Sequence, residues 1–327
     1  MPSVVPANLH VVKALVTGAA GFIGSTLAER LVADGWSVRG VDRFTAYYEE
    51  GQKRANIAGV VGNPAFQLVE ADLLTAAIEP LLADVDVVFH LAAQPGVRLS
   101  WADGFRLYND LNVNVTQRLL EVCSAATLQR FVYASSSSVY GQSPQYPTDE
   151  ESPTRPHSPY GVTKLAAELL CGAYAENFGV PITSLRYFTV YGPRQRPDMA
   201  IHRMIEAARR GTAFPLFGDG SHVRDFTFVD DVARATMMAG TAPLPAGTVL
   251  NVAGGSQTKV SDLIDLVGDV VGHPVPVQLM PGQHGDVSRT GGAIDRAEQL
   301  LGWQPRVSLR DGVSAQAEWH RRAMPLP

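Results

Sequence analysis

The 327-residue chain is 46% hydrophobic and 18% charged, with 27 Lys+Arg against 32 Asp+Glu and a formal net charge of -5. That balance describes a globular protein large enough for one big domain or two coupled ones. With no Lys/Arg-rich block to follow a phosphate backbone, it argues against nucleic-acid binding.

No run of about 20 apolar residues is present to span a membrane. The eight histidines show no metal-ligand spacing, so no metal is expected. Met1 to Lys13 lacks a basic stretch followed by an apolar run, so no secretory leader is expected. Cys123 and Cys171 fall in helix-like stretches and read as reduced thiols. A cytoplasmic, metal-free protein is the expectation.

The first half alternates short apolar runs with helical patterns. Val11 to Thr17 reads as a strand and Phe22 to Asp34 as a helix. Between them lies Thr17-Gly18-Ala19-Ala20-Gly21-Phe22-Ile23-Gly24. At this position Gly18 permits a tight turn, Gly21 lets backbone amides approach a pyrophosphate, and Gly24 lets the helix pack on the strand. Phe22 and Ile23 open the helix, whose positive end favours an anion. Trp36 to Val41 is a second strand, and Asp42 follows it 18 residues after Gly24. An acid there accepts hydrogen bonds from both adenosine ribose hydroxyls and repels a 2′-phosphate, which favours NAD over NADP. Arg43 stands beside it.

Phe66 to Glu70 is a third strand, followed by Asp72-Leu73, where a side chain reaches the adenine. Val85 to His90 is a fourth, followed by Leu91-Ala92-Ala93, small enough to leave room for a cofactor. A single long helix is predicted from Phe105 to Ala126, then a strand from Arg130 to Ala134, a helix from Tyr160 to Phe178 and a strand from Ile182 to Tyr187. Strands alternating with helices indicate an α/β fold built on a doubly wound parallel sheet, of the Rossmann type given the glycine loop. After residue 187 proline and glycine become frequent, as in Gly192-Pro193, Gly218-Asp219-Gly220 and Pro281-Gly282. Residues 1–187 are therefore read as the NAD-binding domain. Residues 188–327 are read as a smaller, interleaved substrate lobe closing over the carboxyl edge of the sheet.

Tyr160 and Lys164 lie four apart, on one face of a helix. A lysine ammonium and a positive nicotinamide stabilise tyrosinate, so the tyrosine is expected to fall below its ordinary pKa and take a hydroxyl proton. With 10 tyrosines and four lysines, only about 0.1 such pairs arise by chance in the whole chain, so the pair is informative beside such a glycine loop. Upstream, Tyr133-Ala134-Ser135-Ser136-Ser137-Ser138-Val139-Tyr140 follows a strand, where a serine can hold the reacting oxygen against the tyrosine.

With these motifs the chain resembles the extended short-chain dehydrogenases that act on nucleotide sugars. Within them it is most similar to the UDP-glucuronate 4-epimerases, through Asp42-Arg43-Phe44-Thr45-Ala46-Tyr47-Tyr48, His90 to Arg98, and Arg186 to Ala200. The resemblance implies NAD as cofactor, Tyr160 and Lys164 as catalytic pair, and Ser136 as the catalytic serine with Ser137 and Ser138 beside it. It also implies that Arg224 faces the UDP phosphates, that Gln283 and Asp286 lie at the nucleotide end, and that the protein is a homodimer.

Related 4,6-dehydratases need an Asp-Glu pair where this chain has Ser137 and Ser138, and UDP-glucuronate decarboxylases carry Glu at the Ser138 position. Without that extra acid, transient oxidation at carbon 4 followed by re-reduction is the simplest outcome. A glucuronate would pass through a β-keto acid, so its carboxylate must be held out of alignment. Thr189, Ser137 or Ser138, with Arg196 or Arg98, are the candidates. A UDP-hexose 4-epimerase, a UDP-glucuronate decarboxylase and a non-catalytic NAD-sensing regulator remain as alternatives.

Overall fold

The computed structural model describes residues 11–282 and 285–325. Six parallel strands follow one another through the first half: β1 (Lys13–Thr17), β2 (Ser37–Asp42), β3 (Phe66–Glu70), β4 (Val87–His90), β5 (Arg130–Ser136) and β6 (Ile182–Tyr187). Side chains alternate faces along a strand, so Ala14 and Val16 enter one core and Leu15 the opposite one, all at most 1% exposed. Val87 and Phe89 against Val88, and Val132 against Phe131 and Tyr133, repeat the division. Burial on both faces is why these strands read as unbroken apolar runs.

Helices α1 (Phe22–Ala33), α2 (Glu50–Asn56), α3 (Glu79–Leu82), α4 (Gly104–Tyr108), α5 (Val115–Ser124) and α6 (Pro159–Phe178) link these strands. The short strands β7 (Val190–Tyr191), β8 (Phe214–Phe217), β9 (Val223–Asp225) and β10 (Thr227–Phe228) come next, interrupted by α7 (Ala200–Arg210). Then α8 (Val229–Thr241) leads back to β11 (Thr248–Val252), which pairs with β6 and completes a sheet of order β11-β6-β5-β4-β1-β2-β3. The chain beyond residue 187 thus re-enters the central sheet. One face is covered by α1 and α8, the other by α5 and α6. The strand order reverses between β1 and β4, the point where such sheets open a crevice at their carboxyl ends. A separate core gathers around Ile201, Met204, Ile205, Leu263, Val267 and Val313, all beyond residue 187.

The expected single helix from Phe105 to Ala126 is not continuous. A π-helical segment, Asn109–Asn114, separates α4 from α5. The extra residue in a π turn re-aims the side chains after it. Asn112 here accepts from the Gln94 amide at 2.7 Å and donates to the Gln94 carbonyl and to Thr163 Oγ1 on α6. The break therefore ties the loop after β4 to the helix that carries Tyr160.

Candidate active site

The glycine loop is shaped for something other than its own side chains. Gly18 adopts φ +71° and donates to Val41 O at 2.8 Å. A Cβ there would meet the Ala92 nitrogen at 2.9 Å, and one on Gly24 would meet the Gly18 carbonyl oxygen at 2.1 Å. Gly21 caps α1 with no side chain, and the first turn of α1 lines a cleft with its positive end. Leu91 and Ala92 are pinned by their amides to Thr17 Oγ1, each at 3.1 Å.

The same cleft brings together Gly18, Gly21, Phe22, Ile23, Gly24, Asp42, Asp72, Leu73, Leu91, Ala92, Ala93, Tyr160, Lys164 and Arg196. Asp42 accepts from the amides of Ala20 and Phe44 at 3.2 and 2.8 Å. Asp72 accepts from the Leu74 amide and from Arg43; burial raises its pKa, but these bonds outweigh it and hold the carboxyl below its usual range. A backbone cradle without room for side chains, a helix N-terminus and a carboxylate at the far end fit a dinucleotide.

Helix α6 delivers the catalytic pair. The Ser158 hydroxyl accepts from the Gly161 amide at 3.1 Å, Pro159 opens the first turn and Gly179 at φ +68° closes the last. Beneath the pair runs a buried network. Ser135 donates to Glu168 at 2.5 Å, and Glu168 pairs with Arg186 at 2.6 Å. Arg186 donates to the Tyr140 oxygen at 2.8 Å, and Tyr140 donates to Asn251 at 2.7 Å. It fixes α6 against β5, β6 and β11.

Lys164 sits 4.6 Å from the Tyr133 ring centroid. Burial pulls its pKa down to about 8, against the raising effects of Cys171 and Glu168. For Tyr160 the expected lowering does not come from the protein's side chains. Burial wins and raises its pKa, opposed by a hydrogen bond with Ser136 and the charge of Arg196. The expectation rested on Lys164 and a positively charged nicotinamide together; the side chains alone do not offset desolvation of the phenol, which is partly buried at the cleft.

Ser136 ends β5 and accepts from the Ser138 amide at 3.1 Å, while Ser137 and Ser138 form a 3-10 turn, both partly exposed. Arg196 carries its charge beside Tyr160 and Tyr47 and grips Asp198. Thr189 is half-buried outside the cleft lining, its carbonyl accepting from the Thr227 amide at 2.9 Å. A second group forms around Asp286. Arg98 Nη2 lies 4.0 Å from its Oδ2 and stacks 4.0 Å from the Phe217 ring centroid, while Arg224 feels its charge. Gln283 lies outside the described residues. Among the described residues no group of three His, Cys, Asp or Glu side chains could hold a metal ion, and no helix is long and apolar enough to cross a membrane.

Several lining residues had no assigned role from the sequence: Thr45, Tyr47, Tyr48, Lys53, Gln94, Ser135 and Tyr187. The first three lie in the Asp42 to Tyr48 stretch that carries the resemblance. Lys53 had a signal too, as one of only four lysines in the chain.

A switch-point cleft with a glycine cradle and a helix-borne Tyr-Lys pair defines a dinucleotide-dependent enzyme of the extended short-chain dehydrogenase type. The chain belongs to the NAD dependent epimerase/dehydratase family, whose model matches residues 14–253. It is 43% identical over 303 residues to an uncharacterized UDP-glucose epimerase, YtcB, of Bacillus subtilis, covering 92% of this chain and 96% of that one. It is 35% identical to a UDP-glucuronate 4-epimerase of Thermodesulfobacterium geofontis, covering 95% and 97%. Its structure is similar to that of the UDP-glucuronic acid 4-epimerase from Bacillus cereus in complex with UDP-glucuronic acid and NAD. The TM-score is 0.93 and the identity 42%, covering 95% of this chain and 100% of that chain.

Proposed function

We propose that this protein is an NAD-dependent UDP-glucuronate 4-epimerase, an isomerase interconverting UDP-glucuronate and UDP-galacturonate. The observation that carries the reading is the meeting of Tyr160 with Arg196 in the cleft that holds the glycine cradle, with Ser136 in hydrogen-bond contact with Tyr160 and serines, not carboxyl acids, at positions 137 and 138. Gly18, Gly21, Phe22, Ile23 and Gly24 hold the NAD pyrophosphate, Asp42 the adenosine ribose, Asp72 and Leu73 the adenine, and Leu91, Ala92 and Ala93 the cofactor's wall. When bound, NAD supplies a positive ring that favours tyrosinate and a reversible hydride acceptor for carbon 4.

Tyr160 takes the proton of the 4-hydroxyl and later returns it. Ser136 holds the reacting oxygen against Tyr160, and the Lys164 charge favours the anionic phenol. Restraint of the uronate carboxylate by charge-assisted hydrogen bonds falls to Arg196, which lines the cleft, or Arg98, with Thr189, Ser137 or Ser138, which lie outside its lining. Arg98, Arg224, Gln283 and Asp286 serve the UDP end. Residues 1–187 carry the cofactor side and 188–327 the sugar side, with β11 as the return to the sheet.

The protein is proposed to be a cytoplasmic homodimer. Trp101, Phe105 and Leu107, near or in α4, and Val162, Leu169 and Phe178 of α6 are 42–65% exposed, an apolar surface that pairing of these helices across a two-fold axis would cover.

A second reading, a UDP-glucose 4-epimerase, is favoured by one observation. Arg196 already spends two hydrogen bonds on Asp198, leaving less of its charge for a carboxylate. Incubation with equal concentrations of UDP-glucuronate and UDP-glucose, followed by NMR, separates them. Faster appearance of UDP-galacturonate supports the first reading, and faster UDP-galactose the second.

A further inference from the structure

Asp42 does not stand alone at the ribose end of the cleft. Its Oδ1 lies 3.9 Å from Lys53 Nζ, with the two side chains only 9% and 7% exposed. Lys53 reaches in from α2, donates to Thr45 Oγ1 at 2.9 Å and lies 5.1 Å from the Tyr48 ring centroid. Burial lowers its pKa and Asp42 pulls it back up. Enclosing an ammonium group is costly unless a partner repays the desolvation, and the partner here is the ribose-binding carboxylate. Next to this pair, Arg43 donates to Asp72 at 2.7 Å, with both side chains about a third exposed. All four groups line the cleft, so its adenosine end holds two carboxylates and two cations.

A pocket with that balance does not reject a phosphate through its net field. Rejection of a 2′-phosphate falls to Asp42 at close range, and Lys53 offsets it. Resting on the dinucleotide reading above, we infer that Lys53 is a cofactor-specificity residue. It tempers the repulsion exerted by Asp42, and with Arg43 it forms a phosphate-accepting cation pair that Asp42 masks.

The test is the ratio of NADP to NAD affinity, titrated on the full-length protein by its intrinsic fluorescence. Lys53→Met leaves Asp42 uncompensated, so the preference for NAD should widen about tenfold, the scale of one charge-assisted bond. Asp42→Asn should shift the ratio about tenfold toward NADP, and adding Lys53→Met should cancel that shift. Lys53→Arg should keep the original ratio. A merely structural lysine would weaken both dinucleotides alike, and an unchanged ratio in Lys53→Met overturns the inference even if both affinities fall. If Asp42→Asn does not fold, the two Lys53 variants still decide. An unmodified protein that binds neither dinucleotide would overturn the underlying reading instead.

Discussion

Arg196 grips Asp198 through two hydrogen bonds, Nε to Oδ1 and Nη2 to Oδ2, each 3.0 Å long. Tyr47 donates to the same carboxylate at 3.3 Å, and its ring centroid lies 5.9 Å from the guanidinium. The arginine whose charge acts on Tyr160 is therefore partly committed before substrate arrives. Loosening the grip should favour an acidic sugar over a neutral one. Asp198→Asn is expected to lower KM for UDP-glucuronate about threefold or more while leaving that for UDP-glucose unchanged, consistent with one partly solvated charge pair. Equal changes for both sugars would show that Arg196 does not meet the carboxylate.

Tyr160→Phe keeps the ring, its T-shaped contact with Tyr108 at 6.1 Å between centroids, and the shape of the cleft. It removes only the oxygen that moves the proton. Turnover should fall at least about 100-fold with NAD binding retained. Steady-state rates together with a cofactor titration check this, and near-normal turnover would remove Tyr160 from its proposed role.

Lys164 ties stability to pH. Its folded pKa of about 8 lies below the ordinary 10.5, chiefly through burial. Between those values the unfolded chain binds more protons than the folded one, so this group makes stability rise with pH from about 8 to 10.5. At and below pH 8 the full cost of enclosing the charge is present. Lys164→Met should therefore melt at least about 2 °C higher at pH 7, a gap that closes toward pH 10.5, while epimerising far more slowly. Calorimetry at both pH values tests it, and a variant less stable at pH 7 would contradict the sign.

Leu169 lies on α6 at 65% exposure, in the apolar surface proposed to pair across the two-fold axis. Leu169→Glu should shift sedimentation from dimer to monomer with little loss of monomer stability, because an exposed position costs little to charge. A monomeric unmodified protein at micromolar concentration would dismiss the proposed dimer.

Residues whose function depends on their neighbours in the chain were legible in the sequence. Gly18, Gly21 and Gly24 shape one turn, and Tyr160 and Lys164 share one helix face. The strands were legible because β1, β4 and β5 are buried on both faces and so carry uninterrupted apolar runs. Residues that meet only in the fold were not. Lys53 reaches Asp42 from 11 positions away through α2, a charged helix without apolar periodicity. The Arg196, Asp198 and Tyr47 cluster joins loops about 150 residues apart. The π-helical break at Asn109–Asn114 has no local sequence mark, since Asn112 is drawn by Gln94 and Thr163. The opposing contribution of desolvation to the Tyr160 shift was not legible, because it depends on the packing around the phenol.

In the proposed reaction carbon 4 is oxidised and then reduced within one closed site. Incubating the protein with UDP-glucuronate deuterated at carbon 4 and following both sugars by NMR tests it most directly. UDP-galacturonate should carry the deuterium at carbon 4, with none lost to solvent. Failure to form UDP-galacturonate, or its formation with hydrogen from water at carbon 4, would contradict it.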